Sequence, residues 1–186
     1  PMVAAFGPMF FEPYPEDRAP ESRPPGDSLA RYGANMRPVG ETWDKPESPI
    51  FSYPYARSRE ALEELRKNDE WDPYAGIKLE YIDPTTGGAA MPTMSTFLQL
   101  LPKGFKTEEY RTTENTVYSP VEGTGRVIAG EPGEEKTLEW KPRDIFAIPC
   151  WVPYRLEADT EATLFSYTDR TAQQKLGLWR EMRGNA

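Results

Sequence analysis

The chain has 186 residues, which is enough for one domain with a buried core and an extension. Its 30 acidic against 22 basic residues give a net charge of -8, which argues against a nucleic-acid partner or an anionic membrane surface. Histidine is absent, and this excludes a Ser-His-Asp or Cys-His catalytic site and a three-histidine iron site within the chain.

Proline is concentrated near the start of the chain, and we predict that residues 1–57 form an extended linker arm. Proline at this density is unfavourable in helix interiors and central strands. The arm is nevertheless rich in aromatic residues, which argues against free disorder. We therefore expect it to lie on an apolar surface through Phe10, Phe11, Tyr14, Tyr32, Trp43, Phe51, Tyr53 and Tyr55.

The stretch "SREALEELRKNDE" predicts a helix over residues 58–70. Ser58 is a good N-terminal cap, and Pro73 limits the helix at its other end. Glu63 lies four residues before Lys67, the spacing of a helical ion pair. The predicted apolar stripe consists of Ala61, Leu62 and Leu65.

Residues 95–168 predict short strands separated by Gly, Pro and acidic turn residues. The strand segments are "STFLQLL", "NTVYSPVEG", "TGRVIAG", "KTLEW", "DIFAIP" and "ATLFSYTD". This pattern is typical of a small antiparallel barrel or jelly roll. With "TAQQKLGLWREM" as a short closing helix, residues 58–186 are predicted to be an all-β domain with flanking helices.

The spacing of this barrel resembles that of the cupin family, whose first motif is Gly, five residues, His-x-His, three or four residues, Glu, six residues, Gly. Set on Gly104, the motif places its two histidines at Tyr110 and Thr112, its glutamate at Thr116 and its last glycine at Gly123. Both turn glycines are present, and every ligand position is substituted.

The second cupin motif runs Gly, five residues, Pro-x-Gly, two residues, His, three residues, Asn. Set on Pro149, it places its glycines at Arg143 and Trp151, its histidine at Tyr154 and its asparagine at Ala158. The resemblance therefore implies a cupin barrel, or double-stranded β-helix, without its metal ligands.

We predict that Tyr110, Thr112, Thr116 and Tyr154 point into one small cavity, because residues i and i+2 of a strand face the same side. Three interpretations remain open for this degenerate pocket: a plugged barrel, a pocket for a small molecule, or an unusual metal site. We assign no catalytic, cofactor-binding or metal-binding residue in this chain.

Two further features have plain structural interpretations. Glu108, Glu109 and Glu114 lack the spacing of a calcium loop, and we predict a solvated turn. Cys150 is the one cysteine, and we predict a small buried residue. A single cysteine permits no internal disulfide, which favours a reducing, cytoplasmic environment.

Several separate blocks resemble the C-terminal half of gentisate 1,2-dioxygenases, which are bicupin enzymes. They include "SPIFSYPYARSREALEELR", "DPTTGGAAMPTMSTFLQLLPKGF", "IPCWVP" and "LFSYTDRTAQQKLGLWRE". The tryptophan at the second motif's glycine position, Trp151, also resembles this family more than cupins at large. The first residues, "PMVAAFGPMFFEPYPEDR", resemble the exit from the N-terminal cupin of that family.

The resemblance implies a cytoplasmic Fe(II) enzyme that inserts O2 into gentisate and opens the ring to maleylpyruvate. It places the iron in the N-terminal cupin, so no cofactor is expected in this chain and the chain alone is expected to be inactive. The expected partners are that N-terminal half, further copies in a homo-oligomer and a small aromatic acid as substrate. The alternative is a stand-alone, non-catalytic cupin that binds a small aromatic acid or sugar in the Tyr/Thr-lined cavity.

Overall fold

The computed structural model describes residues 24–68 and 70–184. Predictions that concern residues 1–23, including the aromatic start of the arm, lie outside the described residues. The described helices are α1 (Asp27–Tyr32), α2 (Tyr55–Arg66) and α3 (Arg170–Lys175). The strands are β1 (Ile77–Glu80), β2 (Ser95–Leu101), β3 (Tyr110–Thr112), β4 (Thr116–Glu122), β5 (Gly125–Ala129), β6 (Lys136–Trp140), β7 (Phe146–Ile148), β8 (Tyr154–Ala158), β9 (Ala162–Thr168) and β10 (Glu181–Arg183).

The strands form two antiparallel five-stranded sheets. The first sheet has the order β1-β2-β9-β4-β7, and the second has the order β10-β3-β8-β5-β6. The main apolar core contains side chains from both sheets, including Leu101, Tyr118, Val127, Trp140 and Leu156. The all-β, jelly-roll fold predicted from the turn spacing is confirmed.

Four short strands were not predicted from the sequence: β1, β3, β8 and β10. The predicted closing helix over "TAQQKLGLWREM" is also too long, because α3 ends at Lys175 and the following residues return to an extended chain. Gly177 adopts a φ of 70° just after the helix, and this left-handed turn stops it. Strand β10 then pairs with β3.

Helix α2 begins earlier and ends earlier than the predicted range of 58–70. Pro54 stands at its N-terminal boundary, and Ser58 lies one turn inside, where its hydroxyl donates to the Pro54 carbonyl oxygen at 3.3 Å. The predicted pair of Glu63 with Lys67 is wrong. Glu63 pairs with Arg59 instead, and Lys67 pairs with Glu64 across one turn, at 2.6 Å.

Only one residue of the predicted apolar stripe of α2 is fully buried. Leu62 packs on the outer face of the first sheet, against Ile77, Leu98 and Leu100. Ala61 and Leu65 are exposed. The apolar contact between the helix and the sheet is therefore narrower than the predicted stripe of three residues.

Ion pairs fasten α2 to the ends of two neighbouring strands. The guanidinium of Arg59 lies 3.4 Å from the Glu122 carboxylate and 2.9 Å from that of Glu161. Arg66 contacts the second oxygen of Glu161 at 2.5 Å. One helix face thus holds β4 and the turn before β9 together.

The arm is not wholly extended, contrary to the expectation from its prolines. Helix α1 forms just after Pro24 and Pro25, in a position where proline does not interrupt a helical hydrogen bond. Tyr32 at its end is buried and contacts the ring of Trp43 edge-on. Among residues 24–68 and 70–184, no helix has the length and apolar character needed to cross a membrane.

Candidate functional site

The backbone keeps the turns of the cupin frame even where the sequence has lost the glycines. Gly104 and Gly123 have φ values of 77° and 79°, as the first motif requires. Arg143 and Trp151 stand at the glycine positions of the second motif and have φ values of 76° and 63°. A non-glycine residue in this region is strained by about 1–3 kcal/mol. The left-handed turns are therefore imposed by barrel closure, because these two side chains disfavour them.

Two of the four predicted pocket residues meet at the centre of the barrel. Tyr110 on β3 is the register partner of Tyr154 on β8, and their hydroxyl groups are hydrogen-bonded. Tyr118 on β4 joins them through a 2.7 Å hydrogen bond between its hydroxyl and that of Tyr154. Its ring also stacks on Phe146.

The two threonines are buried but lie apart from this hydroxyl cluster. Thr112 uses its hydroxyl oxygen to accept a hydrogen bond from the Glu114 amide at 3.2 Å. Thr116 opens β4 and pairs with Ile148 and Thr168 on the neighbouring strands. No hydrogen bond joins Thr112 or Thr116 to the tyrosine hydroxyls within residues 24–68 and 70–184.

Tyr118 is the member that the sequence analysis missed. It lies two residues after Thr116 on the same buried face of β4, so the alternation of the strand was a usable signal. The cupin spacing predicted Thr116 as the pocket residue of this strand, because the motif has its glutamate at that position.

The tyrosine cluster is a poor site for a transition metal. Burial raises the pKa of Tyr118 and Tyr154 well above the ordinary value, so both phenols stay protonated at neutral pH. A metal needs the deprotonated ligand, and the threonine hydroxyls nearby are weaker donors still. The described part of the chain also brings together no group of three acidic, cysteine or histidine side chains suited to a metal. The residues of the frame therefore do not fit iron.

Beside Tyr110 the barrel opens into a cleft of about 400 Å³. Its lining includes Lys78 on β1, Phe97 on β2, Tyr110 on β3, Arg170 on α3 and Arg183 on β10. These residues are distant in sequence, so no local pattern indicated the cleft. We call it the mouth cleft.

A buried ion pair fixes one side of the mouth cleft. The Glu114 side chain is only 1% exposed, and one of its oxygens accepts from Arg170 at 2.6 Å and from the Trp179 indole at 2.8 Å. The prediction of a solvated turn is therefore wrong for Glu114. The charge is retained in the interior because the Arg170 guanidinium compensates it.

Cys150 is exposed, and the prediction of a buried residue is wrong. It stands in the turn between β7 and β8, next to Trp151, which has a φ of 63°. The Cys150 amide donates to the Asn115 side-chain oxygen at 3.0 Å.

The relatives of this chain include gentisate and 5-aminosalicylate 1,2-dioxygenases. The chain is 55% identical over 183 residues to gentisate 1,2 dioxygenase 1 of Aquipseudomonas alcaligenes, covering 98% of this chain and 52% of the relative. It is 32% identical to the 5-aminosalicylate 1,2-dioxygenase of a Comamonas species, covering 97% of this chain and 47% of the relative. No family model matches the chain.

Solved structures agree with the sequence relatives. The salicylate 1,2-dioxygenase of Pseudaminobacter salicylatoxidans superposes with a TM-score of 0.82 at 26% identity, covering 97% of this chain and 53% of that one. The chain thus spans about half the length of the relatives that it matches. Over almost its whole length the chain is therefore similar to about half of a gentisate 1,2-dioxygenase and of related cupin dioxygenases, an extent consistent with a C-terminal cupin half.

Proposed function

We propose that this chain is the metal-free C-terminal cupin of a gentisate 1,2-dioxygenase-like enzyme and supports an iron-bearing N-terminal cupin. One observation carries the proposal: the chain matches its relatives over nearly all of its own length and half of theirs, while its cupin ligand positions hold phenols and alcohols. In the whole protein, Fe(II) of the other half would supply the O2 chemistry that opens an aromatic acid such as gentisate to maleylpyruvate.

An apolar groove gives such a partner a place to dock. It has a volume of about 640 Å³ and lies on the outer face of the first sheet, where Phe165, Leu98 and Val121 meet the arm. Phe51 at its edge is 96% exposed, and Met91 is 41% exposed. Exposed apolar side chains that line a groove favour a role for it in binding a partner. The occupant we propose is an N-terminal cupin half, because the relatives carry about as many residues again.

The arm over residues 1–57 belongs to the same proposal, as a clamp between the barrel of residues 58–186 and the other half. A homo-oligomer and a cytoplasmic location follow from the family resemblance and are part of the proposal. The cavity-binding alternative, a stand-alone cupin for a small aromatic acid or sugar, stays a prediction. It requires a monodisperse chain with saturable ligand binding and no need of a second domain.

Oxygen uptake tests the proposal directly. The chain alone, loaded anaerobically with Fe(II) and given gentisate, should consume no oxygen beyond a free-iron control. The same chain joined to the preceding cupin domain of its gene should be active. Turnover by the chain alone would refute the assignment of the iron to the other half.

A matched pair of variants tests the docking groove. Met91→Glu places a charge at the groove and should weaken association with the N-terminal half. Met36→Glu is the control, because Met36 is 71% exposed and does not line the groove. Equal association of both variants, measured by sedimentation, would remove the groove from the proposal.

A further inference from the structure

We propose that the mouth cleft binds a small aromatic carboxylate between the side chains of Lys78 and Arg170. Its volume of about 400 Å³ is in the range of small-molecule pockets, and its lining combines cations with aromatic rings.

Two cations share one aromatic ring in the mouth cleft. The Lys78 ammonium lies 4.6 Å from the centroid of the Phe97 ring, and the Arg170 guanidinium lies 5.2 Å from the same centroid. Arg170 is neutralised by Glu114 through its Nε atom. Within residues 24–68 and 70–184 Lys78 forms no ion pair or hydrogen bond, and the charges of Glu114, Asp72 and Glu80 offset the effect of its burial only in part.

This arrangement is unfavourable without a ligand. Burial, together with the neighbouring charge of Arg170, lowers the pKa of Lys78 to about 8. A carboxylate next to the ammonium would reverse both effects. The Nη groups of Arg170 have no hydrogen-bond partner in the described part of the chain, so they can donate to the same carboxylate.

In the described part of the chain, no acidic side chain at the mouth cleft forms an ion pair with Lys78. Arg183 holds Asp72 at 2.8 Å and Glu181 at 3.4 Å. Glu70 and Glu80 also line the cleft, but both are exposed and neither lies within ion-pair distance of Lys78. The positive charge inside the cleft therefore remains available, and the exposed carboxylates would disfavour ligands with more than one negative charge.

The aromatic side chains of the cleft favour an aromatic group on the ligand, next to its carboxylate. Trp71, Tyr74, Phe97 and Tyr110 all line the cleft, and the rings of Tyr74 and Tyr110 meet edge-on with centroids 6.3 Å apart. A flat ligand ring packs well against these aromatic side chains, and its apolar surface is buried from water when it binds. Among monocarboxylates we therefore expect an aromatic acid to bind more tightly than an aliphatic one.

Benzoate is the probe for the test, with acetate as the comparison anion. Calorimetric titration of the 186-residue chain should show one saturable benzoate site and weaker binding of acetate. Lys78→Met should weaken benzoate binding by about ten- to a hundredfold, because a hydrogen-bonded charge pair is lost. Lys103→Met is the matched control, an exposed lysine outside the cleft, and should leave binding unchanged.

Lysine acetylation read by peptide mass spectrometry gives a second measurement that needs no variant. Benzoate should slow acetylation of Lys78 in the wild-type chain and leave Lys103 unaffected. Equal rates at Lys78 with and without saturating benzoate would overturn the proposal. Acetate binding as tight as benzoate would overturn the aromatic part of it, and equal benzoate affinity in Lys78→Met and wild type would remove Lys78 from the site.

Discussion

Replacing Lys78 with methionine should stabilise the fold at neutral pH, and the gain should shrink as the pH rises. The wild-type chain holds the Lys78 ammonium beside Phe97 and Arg170, and no ion pair to it is formed within residues 24–68 and 70–184. Methionine has a similar length and no charge, so it can occupy the same space against the aromatic ring. The change removes the electrostatic penalty and leaves the packing largely intact.

The size of the effect follows from the pKa of Lys78, which falls from 10.5 to about 8 on folding. At about 1.4 kcal/mol for each pKa unit, the native state loses about 3 kcal/mol at pH 7 by keeping this group charged. Because the pKa of a base is lowered, the penalty is fully present below about pH 8. It declines between about pH 8 and 10.5, where the unfolded chain binds more protons, and is absent above that range.

Urea unfolding at about pH 7 and about pH 10 measures this difference. The free energy of unfolding of Lys78→Met should exceed that of the wild type by an amount that is about 2 kcal/mol larger at the lower pH. Lys103→Met serves as the control for the general loss of a lysine. A pH-independent difference for Lys78→Met would refute the view that Lys78 is held with a lowered pKa.

Three further variants test the site and the frame. Glu114→Gln should lower the free energy of unfolding, measured by urea titration, by about 3 kcal/mol, because it leaves the guanidinium of Arg170 unpaired. The control is Glu131→Gln, which should lower it by less than about 1 kcal/mol, because the Glu131 side chain is 59% exposed in its ion pair with Arg111. Tyr154→Phe removes the shared partner of two buried hydroxyls and should cost about 2 kcal/mol, more than Tyr110→Phe, as read from thermal unfolding. Arg143→Gly should stabilise the chain by about 1 kcal/mol, because glycine accepts a φ of 76° without strain, and destabilisation would contradict the steric account.

Strand positions with clear turn residues on both sides could be predicted from the sequence. Strand β6 coincides with "KTLEW" and β2 with "STFLQLL", since proline, glycine or charged turns bound each segment. Strands β3, β8 and β10 pair with partners distant in the chain, and β1 has only four residues, so no local pattern marked them. Their existence depends on barrel closure.

The cupin frame could be predicted at its turns and only partly at its centre. The spacing identified Tyr110 and Tyr154 as neighbours across two strands, and the positive φ values of Arg143 and Trp151 fall at the motif's glycine positions. It could not identify Tyr118, because the motif has no ligand at that position.

The mouth cleft could not be predicted, because its cations come from segments 92 residues apart, at positions 78 and 170. Lys78 in "IKLE" and Arg170 in "TDRT" look like ordinary surface residues in the sequence. Only the antiparallel pairing of β1 with β2, and the placement of α3 after β9, brings both side chains to Phe97.

The central position of β9 in the first sheet has a consequence for how the chain emerges from the ribosome. Strands β2 and β4 both pair with β9, which is the last strand of this sheet to be synthesised. Until residues 162–168 leave the exit tunnel, β1-β2 and β4-β7 can form only as separate hairpin-like pairs with uncovered edges. Unpaired edges of this kind favour aggregation, and the protein should therefore rely on chaperones during synthesis more than its size alone indicates.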